Sequence, residues 1–339
     1  MITLSLTTPS NTSGAVALIQ LQGVGVQNVL AQLTCRKDWP RGQIFLADFA
    51  GIDEGLAICL REDWAQLMPH GGLRVIELLC EKCLTLGCQF RDANPREIYP
   101  EASSDFEADM LYALANAQSP AAIDLLLSQA NNWQDHTFDN QQVLTDSKVL
   151  DQLCQMPSVV VVGPANVGKS TLTNRMLGYA ASIVADLPGT TRDWVGGKAQ
   201  LRHIAVRWMD TPGIRRSEDD VEQMAISLAE QVIQKADVLI HMTDIKHGFE
   251  RVSLGDRQPD IHILNKADQL DEPTQNGLPK HVLPISATTG LGVDQLLQSI
   301  LHQLGLDEIQ NKTRWAFSPR LKEIVQSRDL DALAKYMQS

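Results

Sequence analysis

The sequence predicts a three-layer α/β domain on a mostly parallel sheet, preceded by an α+β domain and flanked by short helical segments. Ser158 to Val162 (SVVVV) is continuously β-branched, as a strand buried on both faces of a parallel sheet requires. Ile204 to Met209, Val238 to Met242, Ile261 to Leu264 and Val282 to Ile285 are further strand-like runs separated by helical patterns, the alternation of an α/β fold. The first of these strands runs straight into a glycine-rich loop followed by a helical pattern over Thr171 to Leu177.

Before that domain, Ala15 to Leu21 and Gly55 to Leu60 read as strands, and Val24 to Leu33 and Leu73 to Leu86 as helices. Phe106 to Ala130, rich in Ala, Leu and Asp, predicts one or two helices. Asn131 to Gln142 is polar and reads as a loop, and Asp146 or Ser147 as the cap of a short helix to Gln155. After the α/β domain, Ser318-Pro319 is a cap and first-turn pair opening two closing helices. The expected boundaries are 1–102 (α+β), 103–155 (helical), 157–305 (α/β) and 306–339 (helical).

The chain has 339 residues with 29 Lys or Arg against 41 Asp or Glu, a formal charge of −12. That balance excludes a broad basic face for nucleic acid and leaves room for a local patch. The first basic residue is Arg36 and no apolar run approaches the roughly 20 residues of a membrane span, so a soluble, cytoplasmic protein is expected. Cys80, Cys83 and Cys88 sit in or beside an apolar helical pattern with no second Cys or His pair, which favours core packing over a metal site.

Gly163-Pro-Ala-Asn-Val-Gly-Lys-Ser170 fits GxxxxGK[ST] in its strand-then-helix setting. Its glycines let backbone N–H groups wrap phosphates, Lys169 brings a charge to the outer phosphates, and Ser170 offers a hydroxyl to Mg²⁺. Nucleotide contacts are expected from Gly163, Asn166, Val167, Gly168, Lys169, Ser170 and Thr171. One strand later, Asp210-Thr-Pro-Gly213 places an acid for Mg²⁺ and a Gly213 N–H for the γ-phosphate. Between them, Gly189-Thr190-Thr191-Arg192-Asp193 supplies a threonine for metal and phosphate, Thr191 as the preferred ligand and Thr190 as the alternative.

Asn265-Lys-Ala-Asp268 follows the strand Ile261 to Leu264. A carboxylate at Asp268 accepts from guanine N1–H and the exocyclic amine, which adenine does not offer, so GTP and GDP are the expected ligands. Asn265 would bond the base edge and tie this loop to the phosphate loop, the Lys266 stem would cover the ring, and Ser286-Ala287 would supply an N–H to guanine O6. Ile214 follows Gly213 where many small GTPases keep a water-orienting Gln, so the attacking water must be placed from elsewhere; Glu222, in the acidic stretch Glu218 to Glu222, is a candidate beside its plainer reading as part of a solvated helix start.

GPANVGKSTLTN, IVADLPGTTRD, DTPGIRRSEDDVE, NKAD and ISATTGLGVDQLL together resemble the GTPase domain of the MnmE (TrmE) tRNA-modification GTPase family, and more distantly Era and Der. TTPSNTSGAVALIQLQG and MPHGGLRVIELLCEKCLTLGCQFRDANPREI resemble the opening and the HGG-helix segment of its folate-binding domain, so the likeness covers most of 1 to about 305. The resemblance implies K⁺ in the place of an arginine finger, held by Asn166 and carbonyls of Ile183 to Gly189, and a water-orienting acid nine residues after Gly213, which is Glu222. It also implies apposition of two GTPase domains in a homodimer, and work on tRNA wobble uridine with a flavin-dependent partner. Folate is the family's ligand in the first domain, where His70 reads first as a turn residue and otherwise as a folate contact.

The departures set the second reading. The chain ends KYMQS where the family has a Cys-containing CxGK motif, and its last cysteine is Cys154. The helical domain is reduced to 103–155 and 306–339. Thr12-Ser13-Gly14-Ala15-Val16-Ala17 stands where the family has GRGGVG, so Ser13 replaces a charged Arg. The alternative is therefore a regulatory GTPase switch or ribosome-assembly factor without modification chemistry. Arg314, Arg320 and Lys322 form a modest basic cluster, so a tRNA contact would be local or supplied by another protein.

Overall fold

The computed structural model describes residues 1–8, 14–99, 101–135, 137–179, 195–211, 231–248, 257–271 and 277–338. Thr190, Thr191, Gly213, Glu222 and the segment from Ile183 to Gly189 lie outside them, as do Thr12 and Ser13. Backbone contacts divide the chain into two units, Met1–Asn116 with Ala334–Ser339, and Ala117–Leu333.

In the first unit, strands β1 (Ile2–Leu6), β2 (Ile19–Gln22), β3 (Ile44–Asp48), β4 (Glu54–Arg61), β5 (Trp64–Met68) and β6 (Cys88–Phe90) form one sheet in the order β3-β4-β5-β2-β1-β6. All neighbours are antiparallel except β1 and β6. Helices α1 (Val26–Thr34) and α2 (Leu73–Thr85) contribute Val29, Leu30, Leu33, Leu79 and Cys83 to a core shared with Leu4, Ile19, Leu21 and Leu67 of the sheet. Cys83 and Cys88 are part of that apolar core, where burial pushes the Cys83 thiol up to about 12, so neither is a thiolate at neutral pH.

The predicted strand Ala15 to Leu21 starts only at Ile19, and Val16 makes a single bridge to His70. Short helix α3 (Pro95–Ile98) is capped by the Asn94 side chain and precedes α4 (Asp105–Asn116).

The second unit opens with α5 (Pro120–Asn132) and α6 (Asn140–Leu150). The cap of α6 is Asp139, whose carboxylate accepts from the Gln141 and Gln142 amides, rather than Asp146 or Ser147, so the polar loop ends earlier than expected. Gln141 and Gln142 are solvated on the outer face while Val143, Ser147 and Leu150 are buried, which is why a polar stretch is helical.

Strands β7 (Ser158–Val162), β8 (Val195–Leu201), β9 (Ile204–Asp210), β10 (Val238–Asp244), β11 (Ile261–Asn265) and β12 (Val282–Pro284) then form a sheet ordered β12-β11-β10-β7-β9-β8, parallel except for the β8–β9 hairpin. Val159 to Val162 are fully buried, as their composition required. Helix α7 (Lys169–Tyr179) packs on β8 and β9, where the buried Trp208 indole donates to the Thr173 hydroxyl at 3.0 Å.

Helix α8 (Val293–Gln303) buries Leu296, Leu297, Ile300 and Leu301. Then come α9 (Pro319–Ser327), capped by Ser318 as the sequence predicts, and α10 (Leu330–Gln338). A buried polar hub joins the chain before the sheet to the chain after it. The Gln129 carboxamide donates to the Thr313 carbonyl and accepts from the Trp133 indole and the Trp315 amide, while Asp151 accepts from the Trp315 indole and from Lys322. With every bond of the hub made, burial of these polar groups is compensated. No helix among the described residues is long and apolar enough to cross a membrane.

Candidate functional site

Sheet order places β7 between β10 and β9, so the connections from β7 and β10 leave to opposite sides. The carboxyl ends of these strands face the crevice in which α/β sheets bind ligands. Gly163, Asp210, Asp244 and Asn265 all stand at those ends.

Residues 163–168 turn the chain from β7 into α7, and two glycines are required by close approach. A Cβ on Gly163 would lie 2.0 Å from the Met242 carbonyl oxygen. One on Gly168, whose φ is +104°, would lie 2.3 Å from Asn265 Nδ2. Asn166 holds φ +66° with no such excuse of size, a strain of the kind found at ligand sites. Lys169, 7 % exposed, curls back so that Nζ donates to the Gly163 and Pro164 carbonyls at 2.9 Å. Burial pushes its pKa down and the nearby Asp210 charge opposes that push.

Ser170 Oγ donates to Asp210 Oδ2 at 2.9 Å. Thr211 pins the end of β9 by donating its hydroxyl and its amide to the Val161 carbonyl. Asp210 is 6 % exposed, and its second oxygen, Oδ1, is buried with no hydrogen-bond partner among the described residues. Burial raises its pKa, against the Ser170 hydrogen bond and the Lys169 charge. A buried carboxylate oxygen left without a partner beside a serine hydroxyl is the donor set of a hard divalent cation, so Ser170 and Asp210 fit Mg²⁺.

The Asn265 side chain is the keystone between loops. Nδ2 donates to the Val167 carbonyl at 2.7 Å, and Oδ1 accepts the Ala287 amide at 2.9 Å. It therefore ties NKAD to the phosphate loop, as expected, and also to the Ser286-Ala287 loop. Both amides of that pair are engaged within the protein, Ser286 with the Leu291 carbonyl and Ala287 with Asn265, so a base O6 would have to share one of them. Asp268 is exposed on the 3₁₀ turn Ala267–Gln269.

Two residues that the sequence reading missed complete the site. Arg175 of α7 donates Nε to the Ala287 carbonyl at 2.6 Å and another guanidinium N–H to the Thr288 carbonyl, bracing the loop from the side of the phosphate-loop helix. A groove of about 490 Å³ between Thr171, Asn174, Arg175, Gly178, Ala287 and Thr288 runs along it. Asp244, 1 % exposed at the end of β10, accepts from Lys266 Nζ at 2.5 Å and from the His247 ring at 2.6 Å. Burial alone would raise its pKa, but these hydrogen bonds and the Lys266 charge hold it at about 2. The available signal was position: Asp244 ends a strand whose register puts it directly beside Asn265.

In the first unit, His70 is held by Asp53, which accepts from its amide at 2.8 Å and meets its Nδ1 at 2.9 Å. Gly71 lies against Gly14 so closely that a Cβ would meet the Gly14 carbonyl oxygen at 2.3 Å. The HGG-like turn and the segment after Ser13 thus pack backbone to backbone.

Residues 158–272 match the family model described as 50S ribosome-binding GTPase. The chain is 27% identical to the tRNA modification GTPase MnmE of Acidiphilium cryptum over 381 aligned positions, covering 95% of this chain and 86% of that one. It is 28% identical to MnmE of Methylococcus capsulatus, with 95% and 84% covered. The 381 positions exceed the 339 residues of the chain, so the alignment opens gaps inside it. Among solved structures, Aquifex aeolicus Era is 31% identical over 44% of this chain and 56% of that one, with a TM-score of 0.36.

Proposed function

We infer that this chain is a P-loop GTPase and a divergent member of the MnmE family, and that it hydrolyses GTP with K⁺ assistance in the service of tRNA wobble-uridine modification. The observation that carries the nucleotide assignment is the Asn265 clamp, which holds the phosphate loop, the NKAD loop and the Ser286-Ala287 loop as one surface. On this reading the phosphates lie along Gly163 to Thr171, and Asp268 selects guanine under the Lys266 stem.

Water attacks the γ-phosphorus, the bond to the β–γ bridging oxygen breaks, and GDP and phosphate leave with a proton released to solvent. Lys169 offsets charge on the transferred group. Ser170 and Asp210, with Thr191 (Thr190 as its alternative), would hold Mg²⁺, which supplies Lewis-acid stabilisation of the phosphate oxygens when bound. Asn166 would hold K⁺, Gly213 would donate to the γ-phosphate, and Glu222 would orient the water. We place this enzyme in the cytoplasm as a homodimer working beside a flavin-dependent partner on tRNA. The length and identity of the match to MnmE support that role.

Turnover in KCl is expected to exceed turnover in NaCl at equal ionic strength by about tenfold, corresponding to about 1.4 kcal/mol of transition-state stabilisation. Equal rates would remove K⁺ from the mechanism. For the biological role, expression in cells lacking MnmE is expected to restore wobble-uridine modification. Failure with normal GTP turnover would point instead to a regulatory switch.

A further inference from the structure

We propose that Asp244 is a positioning residue for guanine recognition, acting through Lys266. The inference rests on the guanine-nucleotide reading of the site and adds to it a residue outside the phosphate loop and the NKAD motif.

Lys266 has an unusual backbone for a lysine, φ +64°, and its ammonium bridges two points. One is Asp244 Oδ2 at 2.5 Å, the other the carbonyl of Asn166 at 3.2 Å, itself at φ +66°. A lysine side chain has several rotatable bonds and loses much freedom when fixed. A buried, ionised carboxylate within hydrogen-bond distance fixes its far end and leaves the methylene stem stretched between the NKAD loop and the phosphate loop, where a base plane would rest on it. Asp244 is itself fixed. Its Oδ1 accepts the His247 amide at 3.2 Å and meets the His247 ring nitrogen at 2.6 Å, and the Asp244 carbonyl accepts the Gly248 amide at 3.1 Å, so residues 244–248 form a turn built around this one side chain.

The parallel register of β10 and β11 then sets Asp244 beside Asn265, which holds the other side of the same loop. Asn265 fixes the loop's backbone neighbours and Asp244 fixes its charged side chain. The ligand affected is a guanine nucleotide of any phosphate number, because the contact is to the base and not to the γ-phosphate.

The test is a double-mutant cycle on the full chain, reading Kd for a fluorescent GDP analogue and KM and kcat for GTP. Asp244→Asn is expected to raise Kd and KM about tenfold with kcat within about twofold, and Lys266→Met to raise them at least as much. The double variant is expected to match Lys266→Met alone, because Asp244 has nothing left to position. Unchanged GDP affinity in Asp244→Asn, or effects that multiply in the double variant, would overturn the proposal. Asp244→Ser gives the same comparison if the Asn variant does not fold. A wild-type chain that fails to bind GDP would sink the nucleotide reading itself and this proposal with it. That result is distinct from a wild type that binds and an Asp244 variant that binds equally.

Discussion

Asn265→Ala is expected to weaken guanine-nucleotide binding by at least about a hundredfold and to lower unfolding free energy by about 2–4 kcal/mol. The size follows from what the side chain does at 3 % exposure. Its removal leaves the Val167 carbonyl and the Ala287 amide without their partner, and a buried polar group stripped of its partner loses the full compensation for its desolvation. The effect on affinity is larger than that on stability because the same two bonds set the mutual position of three loops, and a base site assembled from loops is sensitive to small displacements.

Asn265→Asp separates the contributions. It keeps an acceptor for Ala287 and replaces the donor to Val167 with a carboxylate oxygen facing a carbonyl, so it should disturb the phosphate loop more than the Ser286-Ala287 loop. Denaturant unfolding and titration with a fluorescent GDP analogue measure both effects. Binding within about threefold of wild type in Asn265→Ala would mean that the loops are held by other contacts and that the clamp does not organise the site.

The parts of this molecule that were legible in the sequence are those whose signal is local. Val159 to Val162 read as a buried strand because every residue is β-branched, and Ser318-Pro319 read as a helix start because cap and first-turn chemistry are adjacent. The glycines of the phosphate loop were legible because Gly163 to Ser170 form a contiguous pattern; what the pattern does not show is that Gly163 and Gly168 are held by the approach of Met242 and Asn265. Illegible parts depend on partners distant in sequence. Strand β8 contains Gly196-Gly197 and has little intrinsic strand preference. It forms because β9 pairs with it along its whole length, and a Cβ at Gly196 would meet the Trp208 carbonyl oxygen at 2.8 Å. Strands β1, β3 and β5 are short and take their stability from neighbours in the sheet.

The α6 cap was misplaced because Asp146 and Asp139 look alike in sequence. Only the burial of Ser147, whose hydroxyl donates to Val143 and accepts the Ala316 amide, decides which face of the helix lies inside. Arg175 and Asp244 were missed at the site because neither belongs to a motif. Their roles arise when the β7–α7 connection, the end of β10 and the loop after β12 meet, more than a hundred residues apart between Arg175 and Thr288.

Asp210→Asn is expected to cut GTP turnover by about a hundredfold or more while raising the thermal midpoint of the nucleotide-free chain, a pairing of effects that burial of the carboxylate dictates. Burial lifts the Asp210 pKa above its ordinary value even against the Ser170 hydrogen bond and the Lys169 charge, so the native environment prefers the neutral acid. The sign for stability follows. As pH rises from the ordinary carboxylate pKa through the raised native one, the folded chain retains a proton that the unfolded chain has released, so the unfolded state binds fewer protons and stability falls across that window and stays lower above it.

Asparagine mimics the neutral acid and can keep the Ser170 hydrogen bond through its carbonyl oxygen, so it removes the penalty. Lys169 loses an attractive charge, but that attraction is already included in a shift that is net upward, and the Gly163 and Pro164 carbonyls still receive its ammonium. For turnover the substitution does the opposite, since Oδ1, the oxygen with no hydrogen-bond partner among the described residues, is the one available to a cation, and an amide there carries no charge to hold one. Thermal unfolding followed in EDTA without nucleotide, together with phosphate release in the presence of Mg²⁺, measures the two sides. A variant that is less stable and equally active would show that Asp210 is a structural acid and that the metal is held elsewhere.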